Sequence, residues 1–176
     1  MRIISGSLKG RRINPPTNLP VRPTTDLAKE SLFNILNNHV DFENINALDL
    51  FSGTGSISLE LISRGCISVT SVDMNFKCTD FIKKTALVFK VNNLHIIKTN
   101  VFNFLKFSTT TFDLIFADPP YDMQGINTIP EIIFEKNLLS ENGLLIVEHS
   151  KDINFDTHNR LFEHRNYGKV NFSIFK

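Results

Sequence analysis

From Asn46 onward, short apolar runs alternate with longer stretches in which apolar residues recur every three or four positions. The runs Ala47–Phe51, Ser68–Asp73, Leu94–Lys98, Phe112–Ala117 and Gly143–Glu148 predict strands, each separated from the next by enough chain for a helix. That order predicts βαβ units, hence a largely parallel α/β sheet with helices on both faces. Leu161–Tyr167 and Val170–Phe175, about Gly168-Lys169, instead read as a C-terminal hairpin that adds an antiparallel pair at one edge. Upstream, Thr24-Thr25-Asp26 is a capping signal for a helix whose Leu27, Leu32, Ile35 and Leu36 share a face and which ends near Asn37-Asn38. Residues 1–13 read as a short β-hairpin arm turning between Gly6 and Gly10. The stretch from Pro15 to Pro23 is too rich in proline to be helical.

A chain of 176 residues with 41% hydrophobic and 21% charged residues is an ordinary globular domain, not a disordered, collagen-like or coiled-coil protein. Cys66 and Cys78 are too few for a disulfide framework or a four-cysteine zinc site and read as idle thiols in a reducing cytosol. No apolar run is long enough to span a bilayer, and the first residues lack a signal peptide's apolar core, so a soluble cytoplasmic protein without a membrane partner is expected. The net charge of +1 conceals an asymmetry. Within residues 1–40, Arg2, Lys9, Arg11, Arg12, Arg22 and Lys29 face only Asp26 and Glu30, whereas the rest of the chain is mildly acidic. A basic arm on an acidic body suits a polyanion touching the protein in one place, and Arg2, Lys9, Arg11, Arg12 and Arg22 are the candidate RNA-binding residues. A solvated surface hairpin is the plainer alternative.

Two clusters carry chemistry. Asp49-Leu50-Phe51-Ser52-Gly53-Thr54-Gly55-Ser56 closes a strand and opens the helix Ile57–Arg64. Its glycines permit positive φ and close approach of a ligand where nucleotide cofactors bind. Asp73, twenty residues after Gly53, ends the second strand, where a carboxylate can accept from both ribose hydroxyls. Ser58 stands where a dinucleotide site wants a third small residue, and Asp49 would repel a diphosphate but could receive an ammonium. The cofactor indicated is therefore S-adenosylmethionine, a cation without phosphate; the plainer alternative for Asp49 is that it caps the loop. Asn100, after the third strand, could hold an adenine edge or cap the loop.

The second cluster is Asp118-Pro119-Pro120-Tyr121 after the apolar run Phe112–Ala117. Two prolines fix the backbone and remove two donors, leaving the Asp118 side chain and the Pro119 carbonyl as acceptors for an amine. An exocyclic base amine is a poor nucleophile because its lone pair is delocalised, and two acceptors on its hydrogens favour the pyramidal form. Tyr121 offers a flat face for a flipped-out base. Glu148 and His149 end the fifth strand and either could line the pocket, although His149 reads more simply as a surface residue. No cluster has metal-ligand spacing, so no metal is expected.

With the glycine loop, the acid after strand two and Asp118-Pro119-Pro120-Tyr121 in that order, the chain resembles a class I S-adenosylmethionine-dependent methyltransferase acting on an amino group. Met1 to Gly6, Lys9-Gly10-Arg11, Arg22-Pro23-Thr24-Thr25-Asp26 and Glu30 to Asn34 resemble the opening of the RsmD family, the 16S rRNA guanine-N2 methyltransferases that modify position 966. The resemblance implies a Rossmann-like, mostly parallel seven-stranded sheet, with residues 1–23 an arm and tether and 24–176 the methyltransferase domain. It also implies a monomer acting on 16S rRNA within the small subunit or its assembly intermediate. Carried over by motif, Asp49, Phe51, Gly53, Gly55, Ser56, Asp73 and Asn100 bind the cofactor, Asp118 to Tyr121 form the catalytic corner, and Arg22 lies beside the site mouth. Adenine N6 or another amino group, or a non-catalytic RNA-binding role in ribosome assembly, are the alternative readings.

Overall fold

The computed structural model describes residues 1–19, 26–168 and 170–176. Arg22, Thr24 and Thr25, with the cap and the mouth position read for them, lie outside the described residues, as does Lys169. In chain order the elements are α1 (Asp26–Leu36), a single 3₁₀ turn, β1 (Asn46–Leu50), α2 (Ser56–Ser63), β2 (Ser68–Asp73), α3 (Phe76–Phe89) and β3 (Leu94–Lys98). There follow α4 (Val101–Phe107), β4 (Phe112–Ala117), α5 (Thr128–Glu135), β5 (Leu139–His149), β6 (Leu161–Tyr167) and β7 (Val170–Phe175).

The seven strands form one sheet in the order β3-β2-β1-β4-β5-β7-β6, parallel except where β7 pairs with β5 and β6. Seven strands and the terminal antiparallel pair agree with the sequence reading. The strand bounds agree to within a residue, except that β5 begins at Leu139, four residues early, beyond a register shift between Phe112 and Leu114 on β4.

Period-two alternation divides the core. Ala47, Val69, Leu114, Phe116, Leu144 and Ile146 face a layer with Leu32, Phe33, Ile57 and Leu61 from α1 and α2. Their sequence neighbours Leu48, Leu50, Val72, Ile115, Leu145 and Val147 face Val101, Leu105, Ile129 and Ile133 from α4 and α5.

The N-terminal arm closes on itself through an Arg2–Arg12 bridge and lies along α2, burying Ile3, Leu8 and Ile13 against Leu59 and Phe89. Gly6 approaches the end of α2 so closely that a Cβ there would lie 1.7 Å from the Ser63 carbonyl oxygen, and its φ is +78°.

A buried ion cluster ties this arm down. Glu60 of α2 accepts from the backbone N–H groups of Ile4 (2.7 Å) and Ser5 (3.0 Å) and pairs with Arg64 (3.0 Å) and Lys29 (3.4 Å). Lys29, counted above among the basic residues of 1–40, is fully buried, donating to the Arg2 carbonyl (2.6 Å) and the Ser56 hydroxyl (3.1 Å). Burial, the largest influence on it, lowers its pKa, while Glu60 opposes that shift.

Candidate active site

β1 sits at the point where the strand order reverses, with β2 on one side and β4 on the other. In parallel sheets such a point leaves a crevice beyond the carboxyl ends of the strands, where ligands bind. Four acids collect at that end: Asp49, Asp73, Asp118 and Glu148. All share the residue parity of the α1/α2 face, so the pleat directs them to one side. Ala117 pairs with Val147, which makes Asp118 and Glu148 the next neighbours across β4 and β5.

Between β1 and α2 the chain passes through positive φ at Phe51 (61°), Gly53 (52°) and Gly55 (71°). Gly55 is required twice, by this φ and because an added Cβ would lie 2.7 Å from the Ile82 side chain. The turn is pinned by the Ser52 hydroxyl, which donates to the carbonyls of Asp49 (2.7 Å) and Val72 (3.2 Å). Asp73 accepts from the N–H of Gly53 (2.8 Å) and of Asn75 (2.7 Å), so its carboxylate is held rigidly while each oxygen retains a lone pair.

Asp49 is buried and accepts from both the N–H (3.0 Å) and the hydroxyl of Ser58, the third residue of α2. Burial pushes its pKa up to about 7, with Asp73 adding to the rise and the two Ser58 bonds opposing it. Asp49 therefore does cap the helix, and in doing so occupies the terminus that a diphosphate would need. A buried acid beneath the loop and a fixed acid at the end of β2 fit a cationic, hydroxyl-bearing ligand without phosphate. Asn100 caps α4, its side chain accepting from Phe102 (2.9 Å) and Asn103 (3.3 Å), which leaves only its amide N–H groups for a ligand.

At the other half of the crevice, Asp118 is partly buried and its pKa is raised well above the carboxylate range, by burial first, then by Glu148 and by Asp49. The Tyr121 ring is 39% exposed, and its hydroxyl donates to Glu148 at 3.2 Å. Sequence reasoning offered Glu148 only as a residue that could line the pocket; in the structure it borders both Asp118 and Tyr121. Among the described residues no cluster has the geometry to hold a metal ion.

His149 corrects the surface reading: it is 1% exposed, with one ring nitrogen 2.8 Å from the Ser150 carbonyl and the other 2.8 Å from the Ser173 hydroxyl. Arg2, Lys9, Arg11 and Arg12 are all exposed. Capping by Asp49 was the alternative weighed from the sequence, but Ser58 as its partner and the Glu60 cluster were not foreseen. The one local signal for the latter was an acid inside the Ile57–Ile62 run, which is otherwise apolar but for Ser58.

The fold and this pairing of a glycine loop with a strand-end acid define a class I methyltransferase, for which the methyl donor is S-adenosylmethionine. The chain belongs to the family described as Conserved hypothetical protein 95, the RsmD family, whose model matches residues 1–176. It is 32% identical over 154 residues to the ribosomal RNA small subunit methyltransferase D of Buchnera aphidicola subsp. Baizongia pistaciae, covering 88% of this chain and 78% of that one. The Escherichia coli K12 protein of the same name is 29% identical, with 84% and 74% covered. Among solved structures, yhhF of Escherichia coli, assigned as a methyltransferase, superposes with a TM-score of 0.87 at 26% identity, covering 99% of this chain and 96% of that one.

Proposed function

We propose that the protein transfers a methyl group from S-adenosylmethionine to the exocyclic N2 amine of a guanine in 16S rRNA, at position 966 or its equivalent. The observation that carries this reading is Asp118, a carboxylate of raised proton affinity at the end of β4, beside two prolines and the Tyr121 ring. When bound, the cofactor supplies an electrophilic methyl group on a sulfonium.

In this reading Asp73 receives the ribose hydroxyls, Asp49 receives the ammonium through the loop that Phe51, Gly53, Gly55 and Ser56 build, and Asn100 approaches the adenine. Tyr121, its hydroxyl bonded to Glu148, presents a ring on which the extruded guanine stacks. Asp118 and the Pro119 carbonyl, fixed by Pro120, accept the amine hydrogens and turn its lone pair toward the methyl carbon. As the new N–C bond forms and the C–S bond breaks, one amine proton leaves to Asp118. Guanine offers a ring N1–H beside its amine, a second donor suited to a carboxylate, whereas adenine offers an acceptor there. Arg2, Lys9, Arg11, Arg12 and Arg22 hold the RNA backbone.

The test is to incubate the protein with labelled cofactor and small subunits or 16S rRNA lacking the modification, then digest and identify the nucleoside. N2-methylguanosine is expected. N6-methyladenosine, or no incorporation into either substrate, overturns the proposal.

A further inference from the structure

β3 is an edge strand, and between it and α3 runs an open groove of about 450 Å³. Its floor is apolar, with Val91, Leu94 and Ile96, the 71% exposed Leu87 stands on its α3 side, and Lys83, Lys98 and Asp80 also line it. Residues 74–98, which supply both walls, hold five lysines against one acid, Asp80, in a body whose remainder is acidic. Asp80 is taken by Lys84 at 2.7 Å, and among the described residues neither Lys83 nor Lys98 has a carboxylate within 4.0 Å.

The two ends of the groove adjoin surfaces already described. At one end Val91 also lines a second hollow of about 330 Å³ between the arm and the end of α3, where Arg11 stands over the Phe89 ring at 5.0 Å. At the other, the ammonium of Lys98 lies 5.7 Å from the centre of the 65% exposed Phe76 ring. Lys98 pairs in register with Asp73. Asp118 follows the end of β4, three strand spacings away, or roughly 14 Å at about 4.8 Å each.

We infer that this groove is a track for single-stranded RNA flanking the target nucleotide, running from the arm to the site mouth. An apolar floor with an aromatic ring at its end takes base faces, and flanking lysines take phosphates, the combination by which single strands are bound without sequence readout. The inference rests on the RNA-modifying function proposed above, but its test does not depend on methyl transfer.

The probe is a labelled twelve-nucleotide single-stranded oligoribonucleotide titrated at several salt concentrations. Lys83→Glu/Lys98→Glu is compared with wild type and with Lys136→Glu/Lys151→Glu, which makes the same change in charge at exposed lysines elsewhere. The groove variant should bind at least tenfold more weakly, with a salt slope shallower by about 1.4 for two lost phosphate contacts, and with cofactor affinity unchanged. The control should stay within about threefold of wild type. Equal losses in both variants, or wild-type affinity in the groove variant, overturn the inference. So does a dimer seen by sedimentation that the groove variant abolishes while RNA affinity is kept, since the edge would then serve a second copy. Absence of N2-methylguanosine with the binding result intact would instead remove the proposed reaction and leave the track.

Discussion

In the proposed reaction Asp118 is the residue on which the chemistry turns, and its surroundings specify its pH behaviour. It must be ionised to accept a proton, and burial with Glu148 and Asp49 raises its pKa. Turnover should therefore fall as pH drops, at a value above the ordinary carboxylate range. Glu148→Gln removes the second-largest cause and should move that acid limb to lower pH, read from kcat against pH. Asp118→Ala should lower kcat about 100-fold or more while cofactor affinity by calorimetry changes less than threefold, because the proposal gives it the amine as partner. Tyr121→Phe should retain much of the activity and Tyr121→Ala little. A phenylalanine variant as inactive as the alanine variant would show that the bond to Glu148 matters more than the ring.

Asp49 makes a thermodynamic prediction at the same scale. Its pKa in the folded protein is about 7 against 3.8 for an ordinary aspartate, so the folded state holds the proton more tightly than the unfolded chain between those values. Stability should thus decline as pH rises from about 4 to 7, by up to about 4 kcal/mol from this group alone. Asp49→Asn keeps an acceptor for Ser58 and removes the charge. It should raise the ligand-free melting temperature at pH 8, flatten its pH dependence and weaken S-adenosylmethionine binding. An unchanged pH profile would count against the assignment.

At the scale of elements, α2 joins the glycine loop at its start to the arm along its length. The Glu60 cluster binds α1, α2 and the arm's backbone in one buried site, and removing one partner of a buried pair leaves an uncompensated charge costing about 3–5 kcal/mol. Glu60→Ala should therefore destabilise the protein by that order in denaturant unfolding. Gly6→Ala should cost about 2 kcal/mol or more, because both its φ and the Ser63 carbonyl exclude a side chain.

At the scale of the whole molecule, the arm changes meaning. Read from the sequence it is a basic arm and tether apart from the methyltransferase domain; in the fold, Ile3, Leu8 and Ile13 are core and the Arg2 carbonyl accepts from Lys29. Deleting residues 1–13 should lower stability by several kcal/mol through lost apolar burial alone, so RNA binding is better tested on its exposed cations. Lys9→Ala/Arg11→Ala/Arg12→Ala should keep the melting temperature within about 3 °C and make the salt dependence of RNA affinity shallower. A large thermal loss with an unchanged salt slope would assign those residues to folding.

The order of strands and helices, the glycine loop and Asp118-Pro119-Pro120-Tyr121 were determined by the sequence alone, because period-two and helical patterning and turn chemistry are local. So was the placing of acids at strand ends. The tertiary structure decided what those acids touch: that Asp49 caps α2 through Ser58, that Glu148 meets Tyr121, that His149 is buried, and that Lys29 is a core cation rather than a surface one. Each of these depends on sheet register or helix docking, which brings together residues 9 to 31 positions apart that no local pattern relates.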